Sequence, residues 1–323
     1  MTCKRCQHDT AHKFGTYGKR HIQRYRCSDC KATFAESNPK IGTHYTDLNT
    51  AAKALSMMLE GMSVRAISRL TGLHIHTILA LMVTAGDKCQ ALLNAKVRNI
   101  RPRLVQADEL HSFVGCHENR LRSGAPAEWG SVWCWLALDS ESKLIITHHV
   151  GNRDAESAYK FIGDLRERTE GIFQLTSDGL RHYVDAVDAH FDIHIHFAQL
   201  IKLFSSPDIA GPDWMSAMSR VTGTLPCVRS GQPEPRFIST SHVERLNLSV
   251  RTHLRRYVRR TNAHSRKLAN HAACVSLWVA WYNFCRINTS VRMTPAMAAG
   301  VTDHIWDVPE LILGEDMTKP KTS

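Results

Sequence analysis

Apolar positions along the chain change period more than once. From about Asp47, the residues Ala51, Ala52, Leu55, Met58 and Leu59 recur at helical steps until Gly61, with Thr46 or Asp47 placed to cap. In SVRAISRLTGLHIHTILALM, Ser63 predicts the cap of a short helix, Thr71-Gly72 a turn, and a second helix from about His74. Beyond Arg101-Pro102 the pattern shortens. RLVQADEL (103–110), SVWCWLALD (131–139) and KLIITHHV (143–150) read as strands, the last two as a hairpin closed by Asp139-Ser140-Glu141-Ser142. Helix then alternates with strand: helix from Asp154 to about Thr169, strand at 172–176, helix from Tyr183 to Ala189, strand from Ile193 to Phe197. Between Ser205 and Phe237, five prolines and three glycines break every period, which predicts a long loop or insertion. From Ser241 to Lys267, the residues Val243, Leu246, Val250, Leu254, Tyr257 and Val258 return to steps of three and four, predicting one amphipathic helix. Ala272 to Phe284 is an apolar run too short to span a bilayer and reads as a core helix.

Three early strands, then alternating helix and strand, predict an α/β domain with a mixed sheet covered by helices, an order that fits a ribonuclease H-like core. The expected division is a metal-binding module at 1–36, a helical module at 47–95, the α/β domain at 103–290 with its insertion at 205–237, and a tail at 291–323. Met1 to Cys30 is polar and charged, unlike a signal peptide, so the expected compartment is the cytoplasm with no membrane partner.

Charge narrows the partner. The 323 residues carry a formal net charge of +11. From Arg245 to Thr302 there is no Asp or Glu, and the stripe beside the apolar face of the late helix holds Glu244, Arg251 and Arg255, with Arg259 a turn further on. A one-signed helix suits a polyanion, and the DNA backbone is the expected partner. In the 63–82 segment, Ser68, Gly72 and Ile78 sit where a helix-turn-helix needs a small residue, a turn glycine and a buried aliphatic. That motif makes His74, His76 and Thr77 the candidate base-reading positions, against the alternative of an ordinary helical hairpin.

Four of the ten cysteines form Cys3-x2-Cys6 and Cys27-x2-Cys30. Two such turns complete a tetrahedron for Zn²⁺, and four thiolates leave no open position, so the expected role is structural. Lys13, Arg24, Arg26, Tyr17, Tyr25 and Phe34 around them suit phosphate contacts and stacking, or a solvated surface.

Phosphodiester chemistry uses two divalent ions roughly 4 Å apart, held by carboxylates from separate elements. Asp108 on the first strand, Asp178 in a glycine turn after a later strand, and Glu244 opening the basic helix meet that need. Each has an alternative. Asp178-Gly179 suits a turn, Asp108 an edge-strand charge or a decoy of Glu109, and Ser241-x-x-Glu244 a capping box. Asp139 is a rival ligand, and His194-x-His196 a weaker metal pair.

The segments DELHSFVG (108–115), SDGLRHY (177–183), 238–267 and WYNFCRINTSVRMTPAMAAGVTDHIW (281–306) resemble transposases of the bacterial insertion-sequence-one family, a branch of the DDE transposases. RYRCSDCKATF (24–34) is similar to that family's zinc-binding segment. The resemblance implies that Asp108, Asp178 and Glu244 are a Mg²⁺-binding triad, with Mn²⁺ as substitute, and that Arg251 is the motif's basic residue. It also implies binding of terminal inverted repeats, cleavage to free 3′-hydroxyls, and their joining to target DNA. Double-stranded DNA is the expected partner, with the chain as a homo-oligomer on it. Two other functions compete: a non-catalytic DNA-binding regulator with a decayed catalytic domain, and a ribonuclease H-like nuclease without strand transfer.

Overall fold

The computed structural model describes residues 2–3, 5–17, 22–35, 41, 44–192, 194–204, 221–259 and 261–313. The chain divides into two compact units, Met1–Leu48 and Asn49–Ser323. In the first, β1 (Ala11–Tyr17), β2 (Ile22–Cys27) and β3 (Thr33–Ala35) form an antiparallel sheet in that order.

Three helices follow: α1 (Leu48–Leu59), α2 (Val64–Thr71) and α3 (Ile75–Lys96). Ser63 Oγ accepts from the Ala66 N–H to open α2, and Gly72 closes it at φ 72°, where a side chain would be strained. The axes of α2 and α3 are bent by 110° across this turn. No single helix among the described residues is long and apolar enough to cross a membrane.

The remainder is a six-stranded mixed sheet between helices, a mixed α/β architecture. Its elements are β4 (Leu104–Val114), β5 (Gly130–Asp139), β6 (Ile145–Gly151), α4 (Ala155–Arg168), β7 (Gln174–Asp178), α5 (His182–Phe191), β8 (His196–Phe204), β9 (Val221–Ser230), α6 (Ser241–His253), α7 (Leu268–Phe284), α8 (Pro295–Ala298) and α9 (Val308–Leu313). The spatial order is β6-β5-β4-β7-β8-β9, with β4, β7 and β8 parallel and the others antiparallel to their neighbours. On one face, Trp135 packs against Phe161 of α4 and Tyr183 of α5. On the other lie α6 and α7, where His148 of β6 bonds Ser276 and Asn283 bonds both backbone groups of Ile145. Helix α7 carries no Asp, Glu, Lys or Arg and is apolar nearly all round, so it must be covered on every side. Helix α3 covers it, and Gly86 makes that crossing close: a Cβ there would lie 2.1 Å from the Ala273 carbonyl oxygen. Helix α9 packs on both.

Two expectations need correcting. Residues 221–230, read as loop, form β9, while 205–220 lie outside the described residues. Pro226 stands opposite Leu200 in β9, an edge strand, where a missing N–H interrupts no second ladder. The basic helix is also not continuous to Lys267. It ends at His253; Leu254 is extended (φ −105°, ψ 101°) and Arg255–Tyr257 make a single 3-10 turn. Buried bonds compete with helical ones here. Tyr257 is sunk into the core with its hydroxyl 2.7 Å from His271 Nε2, Ser112 Oγ donates to the Arg256 carbonyl, and the Arg256 guanidinium donates to Ser265 Oγ and the Asn270 carbonyl.

Candidate metal and nucleic-acid site

The ladder between β4 and β7 ends at the pair Ala107–Ser177, and β4 runs on beside β5, with a single bridge to Ser265 at Val114 on its open edge. Asp108, in the middle of β4, and Asp178, the last residue of β7, are therefore the first residues beyond the ladder these two strands share, at the end toward which both run, where α/β sheets build sites. Helix α6 and the 3-10 turn after it are laid along β4 by three polar rungs. The Gln106 side-chain oxygen accepts the free N–H groups of His242 (2.8 Å) and Val243 (3.0 Å), satisfying the helix start. Asn247 Nδ2 donates to Asp108 Oδ2 (2.7 Å), and the Ser112–Arg256 bond forms the third rung.

Ligand oxygens of Asp108, Glu109 and Asp178 all lie within 4.8 Å of one another. Glu109, the neighbour for which Asp108 could have been a decoy, joins Asp108 in the cluster instead of replacing it. Its side chain is 1 % exposed, Oε2 accepts from Arg153 Nε (3.1 Å), and Oε1 has no partner among the described residues. Arg153 Nη2 reaches Asp178 Oδ2 (3.5 Å), and its guanidinium stacks 4.9 Å from the centre of the Trp133 ring. Burial first, and then the charge of Asp178, push Asp108 up to about 6 and Glu109 up to about 7. Clustered carboxylates resist holding all their charges without a cation, and these oxygens are the hard donors a divalent ion takes. The unpartnered oxygens of Glu109 and of Asn247 (Oδ1) fit the same need.

Asp178 also makes the turn it was suspected of: Oδ1 accepts from the Leu180 N–H (2.9 Å), leaving Oδ2 toward the cluster. Glu244 stands apart from the three-carboxylate group. Its Oε1 accepts from Thr240 Oγ1 (2.6 Å) and pairs with Lys202 Nζ (2.7 Å). Burial works against its charge, but those two donors outweigh it and hold the carboxyl below its ordinary range. The capping box is not made: Thr240, not Ser241, precedes the helix, and Ser241 Oγ accepts from Ser239. Asp139 is occupied by its turn, accepting from the N–H groups of Glu141 and Ser142 and from the Ser142 hydroxyl. His196 Nδ1 accepts from the Gln232 N–H, a strand-edge role.

Arg251 and Arg259 line a cavity of about 260 Å³ with Arg256, His111 and His117. No carboxylate lines it. Burial and the neighbouring Arg259 charge lower the Arg251 pKa, and Arg251 Nε has no partner among the described residues. Arg255 is turned elsewhere, donating to the Gly61 carbonyl (2.7 Å). His74 caps α3, its Nδ1 accepting from the His76 N–H (3.3 Å); both rings are exposed and stacked, with Thr77 beside them half-buried.

In the first unit, the sulfurs of Cys3, Cys6, Cys27 and Cys30 lie within 4.8 Å of one another. The Thr10 hydroxyl and then the Cys30 N–H bring the Cys27 thiol down to about 6, toward the thiolate that metals bind.

No family model matches the chain, and no curated protein matches it. Among solved structures it is similar to a piggyBac transposase synaptic complex with hairpin DNA, at 10% identity over 86% of this chain and 72% of that one, with a TM-score of 0.41. It is also similar to two Mos1 transposase assemblies. For the paired-end complex with the left transposon end the identity is 13%, covering 50% of this chain and 60% of that one, with a TM-score of 0.19. For the pre-cleavage transpososome it is 10%, covering 52% and 62%, with a TM-score of 0.19. At such identities and scores, a functional reading has to stand on this chain's own residues.

Proposed function

We propose that the chain is a DDE-type DNA transposase of an insertion sequence, with a ribonuclease H-like catalytic domain. It binds terminal inverted repeats, cleaves DNA to free 3′-hydroxyls and joins them to target DNA. The observation that carries the reading is the meeting of Asp108, Glu109 and Asp178 at the end of a parallel ladder, beneath a helix that brings Glu244 and Arg251. The strand order around β4 supports the fold name.

Asp108, Asp178 and Glu244 would hold Mg²⁺ or Mn²⁺, which when bound supplies Lewis acidity to the reacting phosphate and the attacking oxygen. Asn247 fixes the Asp108 carboxylate, and Gln106 fixes the helix that carries Asn247 and Glu244. Arg251 and Arg259 face a cavity without carboxylates and would hold a DNA phosphate. The α2–α3 pair, bent by 110°, would act as a helix-turn-helix, with His74, His76 and Thr77 toward base edges. Cys3, Cys6, Cys27 and Cys30 would hold a structural Zn²⁺. Metal analysis should find one zinc per chain, and Cys6→Ser should lose it.

The deciding experiment incubates the full chain with duplex carrying the inverted repeats that flank its gene, in Mg²⁺ and in Mn²⁺. Free 3′-hydroxyls at the repeat ends and joined products are expected. Binding without cleavage would favour a regulator, and cleavage without joining a nuclease.

A further inference from the structure

The carboxylate cluster already has tenants. Arg153 bridges Glu109 and Asp178, while Lys202 sits on Glu244. Four carboxylates, Asp108, Glu109, Asp178 and Glu244, face these two cations. With all four ionised, the two cations offset half of the carboxylate charge, and withdrawing them frees that half for a divalent ion. The two contacts of Arg153 are unequal. Nε lies 3.1 Å from Glu109 Oε2, in a carboxylate 1 % exposed, whereas Nη2 lies 3.5 Å from Asp178 Oδ2, in a carboxylate 24 % exposed. The stack on Trp133 fixes the guanidinium from behind. The strong grip is thus on the residue outside the triad, and the weak one on a triad member.

We propose that Arg153 is a resident counter-ion of the site: it ties Asp178 to Glu109 until a divalent ion takes its place on Asp178, and Glu109 keeps hold of it through the exchange. The proposal rests on the reading of Asp108 and Asp178 as metal ligands. It gives the buried Glu109 a reason to stand beside the triad. One of its oxygens anchors the displaced guanidinium, and its carboxylate stands with Asp108 and Asp178 among the clustered ligand oxygens. Arg153 is then a positioning residue. Its Nη2, released from Asp178 and still tethered at Nε, becomes a donor at the edge of the cluster, beside an anionic substrate. Lys202 neutralises Glu244 through a single contact.

The test is direct Mn²⁺ binding to the full chain, followed by electron paramagnetic resonance without DNA. Arg153→Gln removes the competing charge and keeps two donors; it should tighten Mn²⁺ binding by roughly tenfold. Arg153→Lys keeps the charge and should bind within about twofold of the parent. Asp178→Asn should lose most binding, and melting curves check that each variant folds. Unchanged or weaker binding by Arg153→Gln overturns the exchange while leaving the metal reading standing. Equal tightening in Arg153→Lys and Arg153→Gln also overturns it, since shape rather than charge would then be responsible. A parent that binds no Mn²⁺, or binds it equally well after Asp178→Asn, overturns the metal reading and the exchange with it.

Discussion

Asn247 and Asp108 are 139 residues apart in sequence and joined by a 2.7 Å hydrogen bond from Nδ2 to Oδ2, so the helix that carries Glu244 is fastened to the strand that carries Asp108. Asn247 is buried. Asn247→Leu should cost about 2 kcal/mol, the worth of a hydrogen bond to a charged acceptor, read as a lower urea midpoint at unchanged slope. Metal affinity should fall too, because the Asp108 carboxylate is freed to turn. Unchanged affinity would show that the strand alone orients Asp108.

Glu244→Gln separates chemistry from scaffolding. Glutamine keeps an oxygen for the Thr240 hydroxyl and loses the pairing with Lys202, which is partly exposed and weak. The variant should melt within about 2 °C of the parent and bind repeat DNA equally well. Cleavage should drop by at least ~100-fold, and Asp108→Asn should look the same because the residues act as one unit. Normal strand transfer by Glu244→Gln would move the third ligand to Glu109.

Acid–base behaviour of the cluster is visible in melting curves taken in chelator. Glu109 and Asp108 are lifted to about 7 and about 6. A carboxyl lifted on folding stabilises the fold while protonated and loses that contribution as pH rises through the lifted value. Glu109→Gln mimics the protonated acid. The parent and the variant should therefore melt alike near about pH 5, and the parent should melt several degrees lower near about pH 8. His148, held near 4 by burial, and His271, held near 3, act on the acid side and are common to both proteins. Parallel curves across this range would mean that Glu109 ionises freely.

At the α3–α7 crossing, Gly86→Ala would drive a methyl group into the Ala273 backbone. Helix propensity favours alanine by about 1 kcal/mol, yet overpacking costs ~1–3 kcal/mol or more. Net destabilisation is expected, with metal binding unchanged. A more stable Gly86→Ala would mean that the two helices separate freely.

The strands, the two aspartates and the four clustered cysteines were legible because each rests on local pattern: β-branched runs, a glycine turn, paired C-x2-C. In the sequence Glu109 stood only as a rival to Asp108, yet both belong to the cluster: neighbours on a strand point to opposite faces, and the early end of β7 lets both reach one site. An adjacent acidic doublet inside an apolar strand was the available signal. Arg153, Lys202 and Asn247 come from three elements, brought together by register and helix placement rather than by any sequence interval. The overlong helix prediction followed a correct apolar period that Leu254 and Tyr257 satisfy in a non-helical path.

The register of β4 against β7 is a whole-number quantity. Ala107 opposes Ser177, and any alternative pairing differs by at least one residue, which would turn Asp178 to the other side of the sheet. The separation of the two aspartates therefore cannot drift gradually under mutation; it is inherited intact or lost in one step. Tolerance to change is then uneven across the sheet. The outer strand β9 is three places from β4, so a change of register within β9 leaves that pairing untouched, whereas one inserted residue between Arg103 and Asp108 inverts it.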